Sequence, residues 1–184
     1  THLVPPEALT LKDLAYRHRF LEDSWFEVCP SLIDRHDPDC VWRERVLDRK
    51  KNGKRYRQKV FQMWSPVKLL SLYTLISVPL RGQQICWLDS GEADEYIPIL
   101  IGTQLEWVAN TSNLASKNHN KGFIRQMSDG GIGMHVTTNK TARGGQGYSI
   151  PYIPQELAYW MVKLREWQTK FNTLSAPTPW LDIV

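Results

Sequence analysis

The sequence predicts an α+β fold, mainly helical, with a small antiparallel β-sheet. Three observations predict it. Apolar residues recur at helical spacing near both ends and in the middle of the chain. Between residues 96 and 153 they come instead in short runs bounded by Gly, Pro and Asn, the pattern of strands and turns. With 184 residues, 42% of them hydrophobic, and 8 Trp, there is material for a single domain with a real core, which excludes a wholly disordered chain.

Pro5-Pro6 followed by Glu7-Ala8-Leu9 opens the first helix, whose apolar positions Leu9, Leu11, Leu14, Ala15, Phe20 and Leu21 run on toward Trp25-Phe26 and stop by Cys29-Pro30. Residues 31–39 turn to Asp, His and Pro and read as a connection. Asn52-Gly53, flanked by Val46-Leu47 and Val60-Phe61, predicts a hairpin or loop tip. Ser65-Pro66 starts a second helix, since Ser can cap and Pro suits the first turn. Leu69, Leu70, Leu72, Tyr73 and Ile76 follow at the spacing of a helix buried on most sides, and Pro79 ends it. A short helix over about 81–89 carries Ile85, Trp87 and Leu88. Strands are expected at 96–100, 104–109, 133–138 and 148–153, with the polar stretch 110–131 a long excursion, functional or mobile. Pro154-Gln155-Glu156-Leu157 begins the last helix, with Leu157, Trp160, Met161, Leu164, Trp167 and Phe171 on one stripe. Residues 172–184 form an extended tail, because Pro177 and Pro179 exclude helix.

The net charge of +4 is mild, but its distribution is not. Between Arg43 and Lys59 nine cations (Arg43, Arg45, Arg49, Lys50, Lys51, Lys54, Arg55, Arg57 and Lys59) stand against Glu44 and Asp48, a local excess of +7, while the rest of the chain balances to −3. Such density attracts phosphates through Coulomb forces and counterion release, so nucleic acid is an expected partner, and Trp42 and Tyr56 could add stacking. A solvated, self-repelling loop without a partner is the competing explanation. The longest mostly apolar stretch, Leu69 to Leu80, is interrupted by Ser71, Thr74 and Ser77 and falls short of the roughly 20 residues that cross a bilayer, so no membrane role is expected. Three cysteines, Cys29, Cys40 and Cys86, are odd in number and widely spaced, which suits a reducing, cytoplasmic setting. Cys29, His36 and Cys40 could be imagined around zinc, but no C-x-x-C or H-x(3-5)-H pair supplies the short ligand spacing of a structural site, so neither metal nor other cofactor is expected. The chain begins at Thr rather than Met, which suggests a piece of a longer protein.

The stretch Leu80-Arg81-Gly82-Gln83-Gln84-Ile85-Cys86-Trp87-Leu88, closing on Asp89-Ser90-Gly91-Glu92-Ala93-Asp94, sets a cation between two helices with acidic residues after it. It resembles the first box of the tyrosine recombinases, the integrases of phages and mobile elements, written G-L-R-x-x-E-L-x-x-L-x-W-x-D-I-D. Arg81 matches the active-site arginine, Leu88 the later Leu, and Glu92 and Asp94 the closing acidic positions; Gln84 stands where that family has an acidic residue. Downstream, Thr137-Thr138-Asn139-Lys140-Thr141-Ala142-Arg143 and then Tyr148-Ser149-Ile150-Pro151-Tyr152-Ile153-Pro154 are similar to the family's strand, turn and strand, T-K-T-G-x-x-R-x-V-P-L-P-x-E-L. Lys140 matches the hairpin lysine, Arg143 is a further candidate for DNA contact, and Gly144-Gly145-Gln146-Gly147 lengthens the turn. The resemblance covers about Ser65 to Phe171.

The resemblance implies a truncated tyrosine-recombinase catalytic-domain-like fold, residues 1–184 being the N-terminal portion of an integrase catalytic domain. It implies phosphoryl transfer without metal: a tyrosine attacks a DNA phosphodiester, arginines stabilise the charge on the phosphate oxygens, and a lysine protonates the leaving 5′ oxygen. The resemblance makes double-stranded DNA the expected partner, on which the full-length protein would act as a tetramer at paired sites. That family also uses an H-x-x-R box and a nucleophilic Tyr. None of the five His (His2, His18, His36, His119, His135) has Arg three residues later, and Tyr148, Tyr152 and Tyr159 fall where packing is expected. The 184-residue chain alone is therefore expected not to cleave DNA. Two other classes stay open, a nonenzymatic nucleic-acid-binding module carried by the basic segment and a protein-interaction domain using the tryptophans.

Overall fold

Asn52 and Gly53 both adopt positive φ, 49° and 79°, the geometry of a two-residue type I′ turn, and this turn organises the first third of the molecule. The structure is a computed structural model that describes residues 10–17, 22–137 and 147–171. Around the turn, β2 (Trp42–Lys51) and β3 (Lys54–Trp64) pair in antiparallel register from Trp42↔Met63 to Lys51↔Lys54. β1 (Trp25–Val28) joins the other edge of β3, from Trp25↔Trp64 to Val28↔Phe61, giving the order β1-β3-β2. Beyond Val28↔Phe61 no other strand among the described residues pairs with the second edge of β3, so the hairpin continues from Arg45↔Val60 to its turn as a two-stranded ribbon. At about 3.3 Å per residue the ribbon extends roughly 20 Å.

A second sheet pairs β4 (Tyr96–Ile101) with β5 (Gln104–Ala109). The third has the order β6-β7-β8, with β6 (Ile124–Gln126), β7 (Ile132–Val136) and β8 (Tyr148–Ile150) antiparallel. The helices are α1 (Leu11–Arg17), α2 (Val67–Ser77), α3 (Gly82–Cys86) and α4 (Gln155–Phe171). α4 is the centre of the core. Its residues from Leu157 to Val162 are consecutively buried, so it is enclosed on nearly all sides in its first half. From α2, buried Thr74 donates to the Leu70 carbonyl at 2.7 Å and touches Met161 Sδ at 3.5 Å. Phe26 of β1 meets Trp167 edge to face with centroids 6.4 Å apart, and Arg165 donates to the Pro98 carbonyl of β4. Lys170, in the last turn, pairs with Asp37. Burial alone would push that carboxyl up, but the ammonium outweighs it and holds it below the usual carboxylate range. Met134 and Val136 of β7 are fully buried in the same core. Fully burying side chains of this size stabilises by about 1.5–3 kcal/mol each.

The fold is α+β as expected, but it is not mainly helical: among the described residues strand is as abundant as helix, and it forms three small antiparallel sheets rather than one. Trp25-Phe26 does not continue the first helix. These aromatic residues, with Val28, fit the pleated surface beside β3, and Ser24 fixes the entry by accepting the Ser65 amide at 2.8 Å. α2 is not buried on most sides either. Leu70 and Thr74 face α4, while Leu72 and Ile76 are exposed on the far side. The polar stretch 110–131 is built into the structure: Ser116 bonds back to Ala93, Glu95 to His119 and Phe123 to Asp89, and the stretch contributes β6. The expected extended tail at 172–184 lies outside the described residues.

Candidate functional site

Val78 and Leu80 are buried while Pro79 and Arg81 are exposed, so the extended link after α2 turns the arginine outward. Arg81 occupies the N-cap of α3 with φ −85° and ψ 148°, and Ile85 anchors the helix in the core one turn later. Gln84 organises this corner. Its Oε1 accepts the Arg81 amide at 3.0 Å, closing the first turn of α3, and its Nε2 donates to the Tyr148 hydroxyl of β8 at 3.3 Å. An amide can accept and donate at once, which a carboxylate at this position could not.

A second bond ties the same helix to the other strand of the hairpin. Thr137, immediately after β7, donates from Oγ1 to the Trp87 carbonyl at 2.7 Å. The chain thus leaves the sheet at Thr137 and returns at Gly147-Tyr148 with both ends held against the Arg81 helix. Lys140 and Arg143 belong to 138–146, outside the described residues. Gly147 fits close against the sheet, where a Cβ would overlap the Val136 carbonyl oxygen and stand 2.9 Å from His135 Nε2.

Of the acidic residues that follow Arg81, Asp89 and Asp94 have structural tasks, Asp89 accepting the Gly91 amide at 2.8 Å. Asp94 is 3% exposed and accepts three bonds, from His119 Nδ1 at 2.8 Å, the Lys121 amide at 2.7 Å and the Gly122 amide at 2.8 Å. It clamps the 118–123 segment onto the turn after α3. Asp94→Ala is expected to cost about 3 kcal/mol, because buried amides lose a charged acceptor; urea denaturation with an unchanged m-value and a lower midpoint would show it.

On the hairpin the nine cations divide. Near the sheet, Arg43 and Arg45 pair with Glu22 at 2.6 and 3.1 Å, Arg49 pairs with Glu27, Lys59 with Glu44 at 2.8 Å and Arg57 with Asp48 at 3.6 Å. The Arg43 guanidinium also lies 4.1 Å from the Trp25 ring centroid. Its hydrogen bond, with the added charge of Arg45, holds the Glu22 carboxyl below the usual carboxylate range. Toward the turn, Lys50, Lys51, Lys54 and Arg55 are exposed and have no ion pair among the described residues. The uncompensated charge is therefore at the tip. Trp42 packs against Phe61 near the sheet, whereas Tyr56 is exposed on the ribbon.

Sequence reasoning missed the Gln84 and Thr137 ties, because a Gln in place of an acidic residue reads as a departure from the motif. It also missed a polar group on the outer face of the third sheet, Arg125, His135 and Ser149. Alternation in β7, with His135 between the apolar Met134 and Val136, was the available signal. Of the tyrosines, Tyr159 is buried, which raises its hydroxyl pKa, and Tyr148 packs against the core, but Tyr152 is exposed. No helix among the described residues is long and apolar enough to cross a membrane.

Neither a curated protein nor a solved structure matches the chain. A protein-family model, described as "Putative integrase", matches residues 1–181. That match takes in the basic hairpin, the Arg81 helix, the β7–β8 hairpin and α4 together, and the chain belongs to this integrase family.

Proposed function

We propose that residues 1–184 are the N-terminal portion of the catalytic domain of a tyrosine-recombinase-type integrase, one that grips double-stranded DNA with the β2–β3 ribbon and presents Arg81 and Lys140 to a backbone phosphate. The observation that carries this reading is the pair of ties from α3 to both ends of the β7–β8 connection, Gln84 to Tyr148 and Thr137 to Trp87. Lys140 is three residues from Thr137, at most about 11 Å of backbone. A guanidinium that stays protonated and forks onto two oxygens suits the charge that develops on phosphorus. A lysine whose pKa falls in cationic surroundings suits protonation of the 5′ oxygen as it leaves.

In this chemistry a tyrosine oxygen bonds to phosphorus as the bond to the 5′ oxygen breaks, leaving a 3′-phosphotyrosyl link. The sequence has no H-x-x-R box. By the same resemblance, the full-length protein would assemble as a tetramer on paired sites. In that protein, Arg81→Ala is expected to lower strand cleavage by a factor of about 10²–10³ with duplex binding retained. The 184-residue chain is expected to give no covalent adduct on a nicked suicide duplex. Undiminished cleavage by Arg81→Ala, or an adduct with the short chain, would overturn the assignment.

A further inference from the structure

Arg125 on β6, His135 on β7 and Ser149 on β8 converge on the face of the third sheet opposite the core. Strand alternation places them there, since Met134 and Val136 on either side of His135 are fully buried, and His135 and Ser149 are direct cross-strand partners. Arg125 Nη1 donates to Ser149 Oγ at 2.8 Å and lies 3.3 Å from His135 Nδ1, which is 3.2 Å from the same hydroxyl. With guanidinium and hydroxyl protons both directed at it, Nδ1 acts as the acceptor, so the ring proton belongs on Nε2. That nitrogen faces Gly147, the first described residue after 138–146. Burial, then the charges of Arg125 and Lys121, keep the His135 pKa below its ordinary value and the ring neutral near pH 7.

The charge balance of this group is incomplete. Arg125 is half-buried, its Nε is buried without an acceptor, and it has no ion pair among the described residues. The nearest carboxylates that act on His135 through space are already engaged, Asp94 by His119 and two amides and Asp89 by the Gly91 amide. A guanidinium taken partly out of water beside neutral groups is costly unless an anion joins it.

We propose that Arg125, His135 and Ser149 form a binding site for a phosphate of the DNA backbone, at the base of the connection that carries Lys140. The proposal rests on the DNA reading above. The free donors of Arg125 and the His135 Nε2–H supply directional bonds that an oxyanion accepts and a base edge does not require, while the Ser149 hydroxyl, accepting from Arg125 and donating to His135 Nδ1, holds the two in place. Its place on the sheet face opposite Tyr148 means that it would hold a phosphate other than the one addressed by Arg81, fixing the register of the strand.

The test uses the 184-residue chain with two probes. Titration of His135 by NMR with inorganic phosphate, against chloride at equal ionic strength, should raise its protonation midpoint, since a bound anion favours the imidazolium. Arg125→Gln should abolish that rise. With duplex DNA, Arg125→Gln should reduce the slope of log affinity against log salt by about one, and Arg125→Lys, which keeps the charge, should recover most of it. If wild type binds duplex, tip variants weaken it and Arg125→Gln leaves the slope untouched, the site is refuted while the DNA reading stands. A His135 response to inorganic phosphate combined with an unchanged duplex slope would mark a free-phosphate site and refute the DNA assignment of this group. No duplex binding by wild type at low salt would bring down both.

Discussion

Replacing Lys50, Lys51, Lys54 and Arg55 together by Ala is expected to lower affinity for duplex DNA by roughly two to three orders of magnitude at low salt and to flatten the salt dependence. Cations near the sheet already have carboxylate partners in Glu22, Glu27, Glu44 and Asp48, and moving them onto phosphates means breaking those pairs. The four tip residues have no such pairs among the described residues and are exposed on a ribbon that extends beyond β1. A two-stranded ribbon is narrow enough to enter the major groove, and each phosphate neutralised adds about 0.9 to the salt slope, so removing four should reduce it by roughly 3–4. Fluorescence anisotropy with a labelled duplex across a salt series measures both quantities. A matched variant at Arg43, Arg45 and Lys59 should lose much less. Equal losses from the two sets would mean that position on the ribbon does not matter, contrary to this account.

Gly147→Ala should be the most damaging small substitution near the hairpin. The added methyl would overlap the Val136 carbonyl oxygen, a backbone atom that cannot rotate away, and crowd the His135 ring. Relief requires β8 to separate from β7, which would also pull Tyr148 from Gln84 and loosen the tie to the Arg81 helix. Overpacking of this kind costs about 1–3 kcal/mol, or more where backbone must shift. For a chain of this size that corresponds to a Tm lowered by roughly 5–10 °C. Thermal melts of Gly147→Ala beside Gly102→Ala, where a methyl meets no neighbouring atom but the backbone has a positive φ of 64°, separate crowding from loss of glycine's backbone freedom. A larger loss at Gly102 would contradict the close-approach argument.

Local chemistry was legible in the sequence, and non-local pairing was not. Asn-Gly between apolar flanks specifies its own turn, and the stripe from Leu157 to Phe171 specifies a helix, because both signals are complete within a few residues. Trp25–Val28 could not be told from the end of a helix, since what makes it a strand is β3, more than thirty residues away. β6 is only three residues long in a polar stretch and exists through β7. The same distinction divides the site. Arg81 was visible between Pro79 and Gly82, and the basic run was visible as a run. The division of that run into paired and unpaired cations depends on Glu22 and Glu27, which only the folded sheet brings alongside.

The central claim is that Arg81 and Lys140 serve one phosphate. Spin labels carried on unnatural amino acids at positions 81 and 140, with Cys29, Cys40 and Cys86 left in place, allow the separation to be measured by pulsed dipolar spectroscopy. One dominant population below about 20 Å is expected, given the short chain from Thr137. A distribution centred beyond about 30 Å, unchanged by added duplex DNA, would contradict it.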